Sequence, residues 1–297
     1  MKKPSILHLI TAAKNASPFD VNMAFDAGYE KIVPYIHVAL DEVAALTQDA
    51  IFSRSPSGIK EEALFFGGRD IHLALDMQKA ARGAMFKPFE ISTFSDPSGA
   101  FTTAAAMMAK VEAHLRLNQQ NLGQQTIAIF GASGTVGSTA ALIAARQGAK
   151  VKMMAHSDLV SMQRYVDNMR QRYDVQLEVV DGSNDASKKA VLQQATVALC
   201  AAPAGVRVLT LEHFAASTSL QVVADVNAVP PSGIEGVDVM ANGVKVGDSK
   251  IVGFGALAIG RLKYVTQHEL LKNMLTSDVP VHIDYHDAYS YACANAK

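Results

Sequence analysis

Residues 130–137 read Phe-Gly-Ala-Ser-Gly-Thr-Val-Gly, with glycines at 131, 134 and 137. The loop follows the apolar run 126–130 and opens the alanine-rich stretch 139–145. In that strand-turn-helix setting the free backbone N–H groups and the positive helix end point at an anion, which suits a pyrophosphate. The dinucleotide fingerprint G-x-G-x-x-G is matched at its last two glycines, with Ala132 where the first would stand. The expected cradle is Gly131, Ser133, Gly134, Thr135, Val136 and Gly137, where small residues let phosphate approach and Gly137 lets the helix pack closely. An ordinary tight turn is the competing reading, and the flanking strand and helix favour the cofactor.

About 20 residues further on, a nicotinamide-site strand ends in an acid that binds the ribose 2'-hydroxyl of NAD. Here the sequence is Met153-Met154-Ala155-His156-Ser157-Asp158, so His156 and Ser157 occupy the place of the acid and Asp158 comes late. With no carboxylate there to repel a 2'-phosphate, both NAD and NADP are expected to bind, with Arg164 within reach of a phosphate. The residues alone leave open whether His156 reads the ribose or only ends a strand. Ala201 and Ala202, Asn227, and Gly255 lie in loops that follow other candidate strands, and ligands of open α/β sheets bind at that edge.

The elements that must position these residues are short apolar runs alternating with helical periods, a pattern that occurs twice and predicts α/β architecture with largely parallel sheets. The first half places strands at 5–11, 31–36, 63–66 and 90–94, with helices starting near Pro18, Leu40 and Asp70, the last an N-cap aspartate. A long Ala/Met-rich helix at 102–117 leads into the uncharged Gln/Asn/Gly stretch 118–125, which reads as a boundary. The second half places strands at 126–130, 150–154, 176–180, 197–201 and 221–225, then helices at 257–275 and 284–296. The expected domains are 1–120, completed by 276–297, and a Rossmann domain at 121–275. Chain length and a 49% hydrophobic content support two cores. A net charge of -1 with interspersed signs offers no basic face for nucleic acid. Two distant cysteines, Cys200 and Cys293, argue against a disulfide framework and for a cytoplasmic setting. No run is long and apolar enough for a membrane span. His282 and His286 are four apart, but the flanking residues alternate like a strand and no third ligand is evident, so no metal is expected.

Several longer stretches carry a resemblance. Ser17-Pro18-Phe19-Asp20-Val21, Phe66-Gly67-Gly68, the run 96–106 beginning Asp-Pro-Ser-Gly-Ala-Phe-Thr-Thr, the run 224–234 and the run 255–263 ending Gly-Arg-Leu-Lys are together similar to the bacterial NAD(P)-dependent methylene-tetrahydromethanopterin dehydrogenases. The likeness spans nearly the whole chain and is nearer the branch that accepts both cofactors, because the strictly NADP-dependent branch has a basic pair where this chain has His156-Ser157.

The resemblance implies an amino-acid-dehydrogenase-like substrate domain followed by a Rossmann domain, with the pterin in the cleft between them, and a homo-oligomer, a trimer in the family. It also implies hydride transfer from N5,N10-methylene-tetrahydromethanopterin to NAD(P), as used in formaldehyde oxidation and methylotrophy. Two nitrogens delocalise the positive charge left behind, so no proton must be removed and the protein's task is positioning and exclusion of water. Phe19, Asp20 and Lys263 are the implied catalytic residues: Phe19 packs on a ring, Asp20 favours the developing cation, and Lys263 orients a pterin carbonyl or pairs with a carboxylate. The attraction of Asp20 for that cation is worth roughly 4 kcal/mol at about 4 Å before desolvation, although a solvated helix-cap role competes. Asp96, Thr102 and Asn227 are the implied substrate contacts, with Thr102 as a helix cap the alternative. Methylene-tetrahydrofolate dehydrogenation and cofactor binding without catalysis are the other two readings. Bifunctional folate enzymes use a Tyr-x-x-x-Lys spacing that no tyrosine here provides.

Overall fold

The computed structural model describes residues 3–296; Met1, Lys2 and Lys297, which fall inside the expected domain spans, lie outside the described residues. The chain packs as two units, one built from Met1–Thr102 with Tyr264–Ala288, the other from Thr103–Lys263 with Tyr289–Lys297.

In the first unit β1 (Ile6–Ile10), β2 (Lys31–Tyr35), β3 (Glu62–Phe66), β4 (Ser92–Ser95) and a late strand, β12 (His282–Ile283), form a parallel sheet in the order β12-β4-β3-β1-β2. Buried β-branched and aromatic residues explain the middle of this sheet: every residue of β3 and β4 is buried, while β2 at the edge is mostly exposed. The helices are α1 (Pro18–Asp26), α2 (Val43–Phe52) and α3 (Ile71–Gly83), followed by α4 (Ala100–Leu117). Their starts are written locally. Ser17 accepts from Asp20 N with Pro18 at the first helical position, and Asp70 accepts from His72 N and Leu73 N at 2.8 and 3.0 Å. Ile10, Val43, Ile51, Leu64, Phe66 and Met77 fill the core between sheet and helices, each worth about 1.5–3 kcal/mol of burial.

The second unit holds seven strands: β5 (Thr126–Phe130), β6 (Lys150–Ala155), β7 (Glu178–Asp181), β8 (Val197–Cys200), β9 (Val222–Asp225), β10 (Asn242–Lys245) and β11 (Val252–Phe254). Their order is β10-β11-β9-β8-β5-β6-β7. Leaving out β10, which runs antiparallel at the edge, six parallel strands follow the 3-2-1-4-5-6 order of dinucleotide-binding sheets. The connecting helices are α5 (Thr135–Arg146), α6 (Leu159–Tyr173), α7 (Asp185–Leu192) and the short α8 (Leu211–Phe214). Two further helices, α9 (Ala256–Thr276) and α10 (Tyr285–Asn295), each contribute residues to both units, as α4 does. The last turns of α10 are held on α4 by Tyr289 Oη, which donates to Glu112 Oε2 at 2.5 Å.

The α/β architecture expected from the sequence is present. The β10–β11 pair is the part that periodicity does not announce, because all four residues of β10 are exposed and β11 is a three-residue strand containing glycine.

Candidate functional site

In open parallel sheets the loops diverge where strand order reverses, leaving a crevice at the carboxyl edge. In the second unit that reversal falls between β5 and β8, the two strands followed by residues 131–134 and 201–205. Gly131 takes φ +73°, and a Cβ there would stand 2.4–2.5 Å from the Ala201 carbonyl and Ala202 N. Glycine is required at this position for both conformation and space. Gly131, not residue 132, is therefore the turn glycine, and Ala132 is buried beneath the loop. Gly134 is the N-cap of α5 and carries no side chain over the helix end. A Cβ on Gly137 would meet Gly131 O at 2.3 Å, so its bareness serves contact of the helix with its own loop. Ser138 Oγ donates to Ala132 O at 2.9 Å and lies 2.6 Å from Tyr165 Oη, tying the loop to α6. Ser133 and Gly134 are exposed, and Thr135 and Val136 half-buried, leaving first-turn N–H groups of α5 open to an anion.

Beside this loop lies a cavity of about 350 Å³ whose lining includes Gly131, Ser133, Ala155, His156, Ala202 and Pro203, and also Lys188, Val206, Arg207 and Val208. Its apolar sides and few polar groups suit an adenosine. His156 lines it, and Ser157 is exposed next to it. Asp158 does not line it: Asp158 Oδ1 accepts from Ser161 N at 3.0 Å and Oδ2 from Ser161 Oγ at 2.6 Å, which caps α6 and holds the carboxyl below the usual carboxylate range. Asp181, ending β7, is likewise held down by Ser183 and Ser187.

The loop after β9 is organised from beneath. Asp225 is buried, its Oδ1 accepting from Asn227 N at 3.0 Å and its Oδ2 from Ile234 N at 3.1 Å. Burial raises its carboxyl above the usual range, against the downward pull of the Asn227, Ile234 and Gly233 N–H groups. Burial, and after it the Asp225 charge, pushes the neighbouring Cys200 thiol up to about 12. The Asn227 amide is engaged by the loop: Oδ1 accepts from Gly205 N and Val229 N at 3.2 and 3.0 Å, and Nδ2 donates to Pro231 O at 3.0 Å. Gly255 stands at the same sheet edge, where a Cβ would lie 2.0 Å from Asp238 O, so its role here is to let residues 238–239 cross.

The first unit has its own reversal, between β1 and β3 in the order 2-1-3-4-12. Thr11, Phe19, Asp20, Gly67 and Gly68 gather there. A Cβ on Gly68, φ +113°, would be 3.2 Å from Thr11 Oγ1, and one on Gly67 3.8 Å from Asp20 Oδ2. Phe19 is 47% exposed on the first turn of α1. Asp20 is only 3% exposed and its Oδ1 accepts from Gln267 Nε2 at 3.1 Å. The solvated-cap alternative for Asp20 is thus overturned, and Ser17 supplies the cap. Asp96 and Thr102 are both fully buried. Asp96 Oδ1 accepts from Phe101 N and Thr102 N, and Oδ2 from Thr102 Oγ1 at 2.6 Å, so Asp96 caps the start of α4 and Thr102 buttresses it. The turn they anchor holds Ser98 at φ +56°, its Oγ donating to Gly68 O at 2.7 Å. Lys263 is 8% exposed on α9, one turn before Gln267.

Among the described residues no group of three or more His, Cys, Asp or Glu side chains could hold a metal, and no helix is long and apolar enough to cross a membrane. Sequence reasoning missed Lys188, Arg207, Val206 and Val208 of the cavity; their only signal is position after β7 and β8, which requires the strand order to be known.

A family model described as the N-terminal part of methylene-tetrahydromethanopterin dehydrogenase matches residues 18–98, the span of the first unit's carboxyl-edge loops. The chain is 43% identical over 289 residues to the NAD(P)-dependent methylenetetrahydromethanopterin dehydrogenase of Methylorubrum extorquens, covering 97% of each. It is 29% identical to the bifunctional protein MdtA of the same organism, covering 93% of each. Among solved structures, shikimate 5-dehydrogenase from Listeria monocytogenes, in complex with shikimate and NAD, has the same fold at 14% identity, with a TM-score of 0.52 and 92% of each chain covered. With the glycine loop, the strand order and this full-length identity together, the chain belongs to the family of NAD(P)-dependent methylenetetrahydromethanopterin dehydrogenases.

Proposed function

We propose that this chain oxidises N5,N10-methylene-tetrahydromethanopterin to the methenyl cation with NAD(P) as hydride acceptor. The observation that carries the reading is 43% identity over 97% of the chain to a dehydrogenase of that name. The residues present fit the cofactor. Gly131 lets the loop lie against the backbone of residues 201–202, Gly134 carries no side chain over the helix end, and the adjoining cavity of about 350 Å³ accepts an adenosine. Bound there, the nicotinamide supplies the hydride-accepting carbon. The backbone N–H groups of residues 133–136 take the pyrophosphate, and Ala201 and Ala202 back the ring side of the crevice. Asn227 acts as a loop organiser at the cofactor crevice, since its amide is engaged by Gly205, Val229 and Pro231. Gly255 holds the same edge clear.

The pterin is assigned to the carboxyl edge of the first unit. The exposed Phe19 stacks on its ring. Asp20, buried and hydrogen-bonded, presents a fixed negative charge that favours the cation as it forms. Lys263 orients a pterin carbonyl and transfers no proton, because the reaction releases none from carbon. Asp96 and Thr102 act on the substrate indirectly, by fixing the turn at Ser98. Both nicotinamide cofactors are used, since neither Asp158, the N-cap of α6, nor Asp181, bonded to Ser183 and Ser187, lines the cavity that takes the adenosine. We place the enzyme in the cytoplasm, as a homo-oligomer and without a metal.

The test is initial-rate NAD(P)H formation with methylene-tetrahydromethanopterin and methylene-tetrahydrofolate, each against NAD and NADP. Turnover of the methanopterin substrate with both cofactors is expected. Turnover of the folate alone overturns the substrate, and silence with all four pairs overturns the activity.

A further inference from the structure

The cavity beside the glycine loop holds two cations, Lys188 and Arg207, and no carboxylate among its lining residues. The two cations differ in what they can still do. Lys188 Nζ donates to Val208 O at 3.1 Å and lies 3.8 Å from Asp185 Oδ1, so its charge is partly answered. Arg207 donates through Nε to Ser232 O, and among the described residues no protein hydrogen bond engages Nη1 or Nη2. The guanidinium plane is held at one corner while its outer fork stays available.

That anchor is itself fixed. Ser232 Oγ donates to Ile234 O at 2.9 Å, Val208 N and Leu209 N donate to Gly233 O at 2.8 and 3.0 Å, and Ile234 N donates to the buried Asp225. Arg207 therefore sits between two loops joined through Gly233 O, the second of them fixed by a buried carboxylate. A guanidinium with a free planar fork pairs bidentately with phosphate, which an ammonium cannot do.

We propose that Arg207, in the loop after β8, is the residue that recognises a 2'-phosphate on the adenosine of the bound dinucleotide, so that one pocket serves both NADP and NAD. The inference rests on the dinucleotide reading of this cavity. Recognition comes from the opposite wall to the end of β6, where His156 and Ser157 leave no strong phosphate ligand. NAD, with a neutral hydroxyl at the same place, does not need Arg207, and the 2'-phosphate of NADP meets no carboxylate among the lining residues.

The experiment is calorimetric titration of the full-length protein, wild type, Arg207→Gln and Arg207→Lys, with 2',5'-ADP and with 5'-AMP at two salt concentrations. Loss of a bidentate charge-assisted contact should lower the ratio of 2',5'-ADP to AMP affinity on the order of 10- to 100-fold in Arg207→Gln. Arg207→Lys should restore part of that ratio, and the wild-type ratio should fall with salt. Equal losses for both nucleotides would make Arg207 an adenine-stacking residue and overturn the proposal, as would no change in either. If the wild type binds neither nucleotide, the dinucleotide reading itself fails, a result visible before any variant is made.

Discussion

Gly131→Ala tests the loop most severely, because its cost can be worked from the geometry. The backbone at 131 has φ +73°, a conformation that costs an L residue roughly 1–2 kcal/mol. The added methyl would lie 2.4–2.5 Å from the Ala201 carbonyl and Ala202 N, about 1 Å inside contact, and those atoms are backbone joined to β8. Overpacking of that kind adds about 1–3 kcal/mol, so the whole penalty is about 2–5 kcal/mol. At about 2–4 °C per kcal/mol for a domain of this size, melting of the second unit should fall by roughly 4–20 °C. Gly134→Ala is the control, since its backbone lies at φ -73° and the new methyl would be 3.3 Å from Gly131 O. Differential scanning calorimetry with NADP titration followed by fluorescence separates the two. Gly131→Ala should lose both stability and affinity, whereas Gly134→Ala should melt within about 2 °C of wild type and lose affinity alone. A Gly131→Ala protein that melts and binds as wild type refutes the close approach of the two loops.

Lys263→Ala should lower turnover on the order of 10- to 100-fold, with NADP affinity held within about 2-fold; a matching loss of NADP binding would put the lysine in the wrong pocket. Asp225→Ala leaves the N–H groups of Asn227 and Ile234 without their buried acceptor and should cost about 2–4 kcal/mol in urea unfolding; a change below about 0.5 kcal/mol would show that the loop does not depend on it. Burial, then the Arg82 charge, lowers the His282 pKa below its ordinary value against Glu90, and burial does the same to His114. Both stay neutral in the fold while the unfolded chain takes up protons, so their contribution is present above the ordinary histidine range and lost as pH falls through it. Urea midpoints should therefore drop on acidification from pH 7.5 to 5, less steeply in His114→Gln/His282→Gln, and equal slopes would refute the assignment. With its thiol pushed up to about 12, native Cys200 should resist iodoacetamide at about pH 8 and react only on unfolding, as read by mass spectrometry; rapid native labelling would contradict its burial.

The glycine loop was legible in the sequence because its demands are local: a strand, a turn needing left-handed backbone and a bare helix end lie within a dozen residues. The same holds for the Asp70 cap and for most strands of both sheets, whose apolar runs are buried on both faces. What the sequence hides depends on strand order. Arg207 and Lys188 join His156 only because β8 and β7 flank the β5–β6 pair. From the sequence a solvated first-turn role competes for Asp20, and the partner that decides against it, Gln267, lies 247 residues away. The resemblance implies Asp96 and Thr102 as substrate contacts with Thr102 as a helix cap the alternative, and the first turn of α4 engages both, a pairing across six residues that motif similarity does not report. The β10–β11 edge escapes periodicity altogether, since an exposed four-residue strand carries no burial pattern.

The placement of β12 has a consequence for synthesis of the chain on the ribosome. β12 completes the first sheet by pairing with β4, although roughly 190 residues separate the two, and at about 5–20 residues per second those take about 10–40 s to make. Through that interval the first sheet has an unpaired edge strand whose residues are all buried in the finished protein. The nascent chain is then open to mispairing with other chains, and the interval ends only when β12 emerges and closes the sheet.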